Sequence, residues 1–116
     1  MGAVAQKAKK DIPYLKGYAA LKFSGEVLDS VAEGIPLEQV VSKVKPIVEN
    51  YLEIYRALGG LSAGVPKEIL MSTTKYFILV RLFYRTETYH VAVLDSKANL
   101  GYTRFVLFQL NKELKG

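Results

Sequence analysis

His90 is the only histidine in the chain, and cysteine is absent. Together these remove most reagents of protein catalysis: no thiolate nucleophile, no disulfide framework, no two-histidine metal site. His90 sits inside an apolar, strand-like run with no carboxylate beside it in sequence, so no triad is formed. It reads as a packed or surface histidine of a strand. The eleven acidic residues show neither metal-ligand nor EF-hand spacing. Gly59-Gly60-Leu61-Ser62-Ala63-Gly64 is the nearest approach to a phosphate-binding loop. It lacks the closing Lys-Ser/Thr and follows a helical pattern, whereas that loop follows a strand. Asp95 and Asn99 could serve as ligand groups, yet they stand where a helix begins, and capping its free N–H groups accounts for both. No catalytic residue, metal ligand or cofactor site is expected.

The elements around these residues are clearer than any chemistry. Phe77 to Tyr84 is almost continuously apolar, interrupted only by Arg81. Its aromatic and β-branched content favours a strand covered on both faces. Arg85-Thr86-Glu87-Thr88 breaks the run and Tyr89 to Leu94 resumes it, the pattern of an antiparallel hairpin whose turn type stays open. A helix follows Asp95-Ser96-Lys97-Ala98-Asn99 and runs to about Leu114. Gly101 in its first turn costs roughly 1 kcal/mol against Ala, which is reasonable where helix backbone presses on the sheet.

Upstream, Val4, Ala8 and Ile12 give a weak helical pattern that Pro13 ends. Gly17 to Phe23 and Glu26 to Ser30 read as strands around a Ser24-Gly25 turn, and Val31 to Ile35 as a connection. Pro36 opens a long amphipathic helix to about Leu58, with apolar residues from Leu37 to Leu58 at three- and four-residue steps. Its stripe is wide, with Ile54 extending it, and one sheet face need not consume all of it. Pro46 inside this helix predicts a bend, with a complete break as the alternative and the ring toward solvent. Gly59-Gly60 ends the helix, a connection runs to Pro66, and Glu68 to Thr73 is a further strand.

At 116 residues the chain is expected to form one domain, 1–116, with 1–13 as a short or frayed N-terminal helix. Half hydrophobic and 23% charged, it is globular in composition. No apolar run approaches the roughly 18–20 residues of a membrane span. Met1 to Lys10 is basic without the apolar centre of a signal peptide, so a cytoplasmic location is expected. The net charge of +5 comes from scattered lysines without a nucleic-acid motif. Eight tyrosines and five phenylalanines, with no RNP-type motif, are read as core or interface.

Ile69-Leu70-Met71-Ser72-Thr73-Thr74-Lys75, Phe77-Ile78-Leu79-Val80-Arg81, Val91-Ala92-Val93-Leu94-Asp95 and Ala98-Asn99-Leu100-Gly101 with Arg104 resemble the Roadblock/dynein light chain family. The resemblance is close over the C-terminal half and loose over the N-terminal half, where the first helix is short for the family. It implies an α/β (α+β) sandwich: a five-stranded antiparallel sheet of order 2-1-5-4-3, a long central helix on one face and terminal helices on the other. It also implies a homodimer built by edge-strand pairing, and a non-enzymatic interaction or scaffold role, with a Ras-like small GTPase as partner. An open edge and a wide helix stripe point the same way. The dimer contacts expected are Val41, Val44, Val48, Leu52 and Tyr55 on the helix and Ile69, Leu70 and Met71 on the edge strand. Two alternatives remain: a nucleic-acid-binding protein using its lysines, and a small-ligand sensor domain holding its ligand against the sheet.

Overall fold

The computed structural model describes residues 2–58 and 64–114. The Gly59-Gly60 helix end, and most of the glycine-containing stretch that follows it, lie outside them. In chain order the elements are α1 (Ala3–Asp11), β1 (Leu15–Lys22), β2 (Val27–Ala32), α2 (Leu37–Leu58), β3 (Glu68–Ser72), β4 (Tyr76–Phe83), β5 (Thr88–Asp95) and α3 (Leu100–Glu113).

The strands form one antiparallel sheet in the order β2-β1-β5-β4-β3. β5 is its centre, flanked by β1 (Ala19 opposite Val91) and β4 (Val80 opposite Val91). Helices cover both faces of that centre, so β5 is buried from Thr88 to Leu94 and its sequence does not alternate. On one face Ala19, Leu21, Val80, Leu82, Tyr89, Val91 and Val93 meet Leu37, Val41, Val44, Val48 and Leu52 of α2. On the other Tyr18, Ala20, Leu79, Ala92 and Leu94 meet Ala5, Ala8 and Ile12 and, from α3, Val106, Leu107 and Leu110. Side chains as fully buried as Leu79, Leu94, Leu107 and Leu110 each contribute about 1.5–3 kcal/mol.

Helix α1 has nine residues and still seals its share of the sheet. Asp29 of β2 accepts from the N–H groups of Gly2 and Ala5, both at 2.8 Å, and so caps the helix from the sheet. Lys7 Nζ bonds Glu113 Oε2 at 2.7 Å and ties α1 to α3. Ala5 and Ala8 are fully buried, so the chain covers this face itself.

Several expectations are corrected in detail. β2 continues through Val31 and Ala32, which pair with Tyr18 and Gly17. Thr88 is the buried first residue of β5, and the hairpin closes with Glu87 at φ +53°. α2 runs unbroken through Pro46, which excludes the alternative of a complete break, and the ring is exposed, as expected. Gly101 is exposed, with only Asn99 Oδ1 near a Cβ placed there, so it does not press on the sheet. The close approach belongs to Gly17, where a Cβ would stand 2.7 Å from Ile35 Cδ1.

Candidate functional site: the flank of the long helix and the edge strand

Both β2 and β3 are edges of the sheet, but they differ in what they offer a second strand. β2 is kinked by an irregularity between Ala20 and Leu21 of its neighbour, and carries Asp29 turned to the α1 side. Bulges and inward charges protect an edge from pairing. β3 is regular through all five pairs with β4, and its middle is Ile69-Leu70-Met71. Among the described residues it is the edge without such protection.

Beside it runs α2. Ile47, Tyr51, Ile54 and Leu58 recur at i, i+4, i+7 and i+11, so they form one row along the helix. Ile47, Ile54 and Leu58 are exposed at 39%, 56% and 39%, well above a core residue. Tyr51 is half-buried, and its hydroxyl donates to the Glu68 carbonyl of β3 at 2.9 Å, fastening the helix to the strand. Between them lies an open hollow of about 360 Å³ lined by Ile47, Asn50, Tyr51, Ile54, Glu68 and Ile69. The apolar row and the open strand thus make one continuous surface.

The residues expected as dimer contacts divide across the structure. Val41, Val44, Val48 and Leu52 face the sheet within the chain's own core and present almost no surface. For these four the expectation is corrected: the exposed row of α2 is turned roughly a quarter of a helix circumference away. Tyr55 is half-buried, its ring 5.5 Å from that of Tyr84. Ile69 and Met71 pack part-buried on the α2 side, and Leu70 is exposed. Ile47 was not singled out in the sequence, although it belongs to the same periodic pattern as Ile54.

On the opposite face Glu68 is held by two arginines. Arg104 donates through Nε and Nη2 at 2.7 and 2.9 Å, and Arg81 through Nη1 at 2.7 Å. The Arg104 hydrogen bond pulls the Glu68 carboxyl below its usual range, against the opposing effect of burial, and Arg81 adds to it. Both guanidiniums are committed to a structural carboxylate.

His90 is a packed histidine at the heart of a polar network under α3. Its Nδ1 lies 2.7 Å from the Tyr18 hydroxyl and its Nε2 3.0 Å from Asn111 Oδ1. Thr88 also donates to Asn111 Oδ1, at 2.7 Å, and Asn111 Nδ2 donates to Thr86. With Oδ1 an acceptor, His90 carries its proton on Nε2 and accepts from Tyr18. Burial lowers the His90 pKa to about 4, only partly opposed by the Asn111 hydrogen bond. Burial also pushes the Tyr18 phenol up. Every partner is used internally, so the network anchors a helix and has no group left for a substrate.

Among the described residues no cluster of three or more His, Cys, Asp or Glu side chains is placed to hold a metal. Among the described residues no helix is long and apolar enough to cross a membrane. The α2 side of β2 has a cleft of about 330 Å³ lined by Ala19, Val27, Ser30, Leu37, Glu38, Val41, Ser42 and Lys45, and it opens to solvent.

The layers, strand order and helix placement define the Roadblock/LC7 fold. No family model and no curated protein matches the sequence. Among solved structures the chain is similar to Myxococcus xanthus MglB: TM-score 0.75, 14% identity, 96% of this chain and 88% of that one. It is equally similar to a Roadblock/LC7 domain from Streptomyces avermitilis, with TM-score 0.74, 12% identity and coverage of 97% and 92%. An MglB described with a tetrameric arrangement follows at TM-score 0.69, 14% identity and coverage of 95% and 86%. At these identities the likeness is one of fold.

Proposed function

We propose that this chain is a single-domain, Roadblock-type interaction module that forms a homodimer and docks a Ras-like small GTPase, without supplying catalytic groups of its own. The observation that carries it is the exposed row Ile47, Ile54 and Leu58 lying beside the unprotected, apolar edge strand β3. Two copies joined through β3 about a two-fold axis extend one sheet across both, and bring the two α2 rows together. The dimer contacts are then Ile47, Tyr51, Ile54 and Leu58 of α2 with Ile69, Leu70 and Met71 of β3, and Tyr55 at the margin. The tetrameric arrangement of a fold relative supports self-association as a habit of this architecture.

The GTPase partner is what the family resemblance implies. Arg81 and Arg104 are engaged by Glu68, and Arg56 pairs with Glu53 on its own helix. Arg85, in the β4–β5 turn, is exposed; the effect proposed on a GTPase is conformational, as the family resemblance implies, through differential affinity for its two nucleotide states. The test is binding of the purified protein to candidate small GTPases loaded with a GTP analogue or with GDP. Preference for one form supports the reading. Absence of binding to either, across the candidates of one genome, removes the GTPase and leaves the dimer.

A further inference from the structure

The outer side of α3 is also apolar. Gly101, Phe105, Phe108 and Lys112 follow one another at i, i+4, i+7 and i+11, so they form one row turned away from sheet-facing Val106, Leu107 and Leu110. Phe105 and Phe108 leave about half their surface to solvent, as does Tyr102, whose ring lies 6.4 Å from that of Phe105. At Gly101 nothing but Asn99 Oδ1 would come near a Cβ, so the start of the row is bare.

The flank toward β3 is positive. Two guanidiniums, Arg81 and Arg104, share the single carboxylate of Glu68, leaving a formal charge of +1. Lys112 Nζ lies 4.4 Å from the Phe108 ring centroid, and has no carboxylate partner among the described residues. Exposed Leu70, on the same sheet face as Glu68, adds an apolar floor at the sheet edge.

We propose that the surface formed by the outer side of α3 and the β3 flank docks an acidic amphipathic helix of another protein. Its apolar side rests on Phe105, Phe108 and Leu70, and its carboxylates face Lys112 and the net positive Arg81–Arg104–Glu68 cluster. A second copy of this chain fits poorly, because a two-fold contact there sets like charges together. An anionic bilayer fits poorly too: lipid-binding patches gather about 4–8 basic side chains, whereas this flank offers only Lys112 and the net +1 of the Arg81–Arg104–Glu68 cluster. This inference shares Leu70 with the proposed dimer edge but otherwise rests on α3, which lies on the sheet face opposite α2.

The chain contains no tryptophan, so a peptide carrying one is observed alone by fluorescence. Two synthetic helices are compared with the same leucine ridge and single Trp, one flanked by Glu and the other by Lys. The Glu-flanked helix binds the full chain at least about tenfold tighter. The double change Phe105→Ser, Phe108→Ser weakens it about tenfold or more, and Lys112→Glu weakens it severalfold, both without altering subunit mass. Phe105 and Phe108 are exposed, so these variants keep the fold, which circular dichroism verifies. Equal binding of the two helices overturns the proposal, as does indifference to the Phe changes. A fall in subunit mass in the Phe variant assigns the face to a second copy and overturns it. Phe-dependent sedimentation with phosphatidylglycerol vesicles, with no discrimination between helices, overturns it in favour of a membrane.

Discussion

Lowering the pH from about 7 to about 5 isolates a single group in this protein, because His90 is the only histidine and ordinary carboxylates ionise near 4. In the unfolded chain His90 titrates at about 6.5, whereas in the fold burial holds its pKa at about 4. The depressed value means the unfolded chain binds the extra proton first. Stability is therefore complete above pH 6.5 and is lost as the pH falls toward 4. Between pH 7 and 5 the loss is about 2 kcal/mol, of a total of about 3 kcal/mol once the folded form also titrates. For a chain of this length 2 kcal/mol lowers Tm by about 8 °C. Thermal melts at constant protein concentration and ionic strength measure it, with His90→Gln as the control that cannot titrate. The control is less stable than the parent at pH 7 but flat from 7 to 5. A parent melt that does not move over this range, or a control with the same slope, refutes the assignment of His90 as a buried neutral hinge-pin of the core.

Asn111→Ala removes the acceptor shared by Thr88 and His90 and the donor to Thr86, so it costs about 2–3 kcal/mol in urea titrations. Asp29→Ala uncaps α1 and costs about 1–2 kcal/mol. In that variant, amide exchange accelerates at residues 3–11 while β5 stays protected.

Much of this fold was legible because its signals are local. The doubly covered β4 and β5, the long α2 and the start of α3 follow from runs and periodicity. Asn99 caps as its position implies, with Oδ1 accepting from Tyr102 N–H at 2.9 Å. Asp95 Oδ1 accepts from Lys97 N–H at 2.9 Å, a turn that precedes the helix. What stayed hidden is long-range. Asp29 caps a helix 24 residues earlier, and His90 meets Tyr18 across 72 positions. No spacing rule reaches that far. The α2 stripe is an intermediate case: periodicity reveals a broad apolar surface, but only the position of the sheet decides that Val44 and Val48 face inward while Ile47 and Ile54 face out. Gly101 fell to a related ambiguity, since an open helix start and a crowded one both admit glycine.

The edge-to-edge dimer is the claim on which the functional reading depends, and sedimentation equilibrium tests it most directly. The account predicts a particle of twice the 12.9 kDa chain mass at micromolar concentration. Ile54→Asp, a charge on the exposed row, shifts that particle to the single-chain mass with the circular dichroism spectrum unchanged. A single-chain mass for the parent across that range, or an Ile54→Asp protein with the parent's doubled mass, contradicts it.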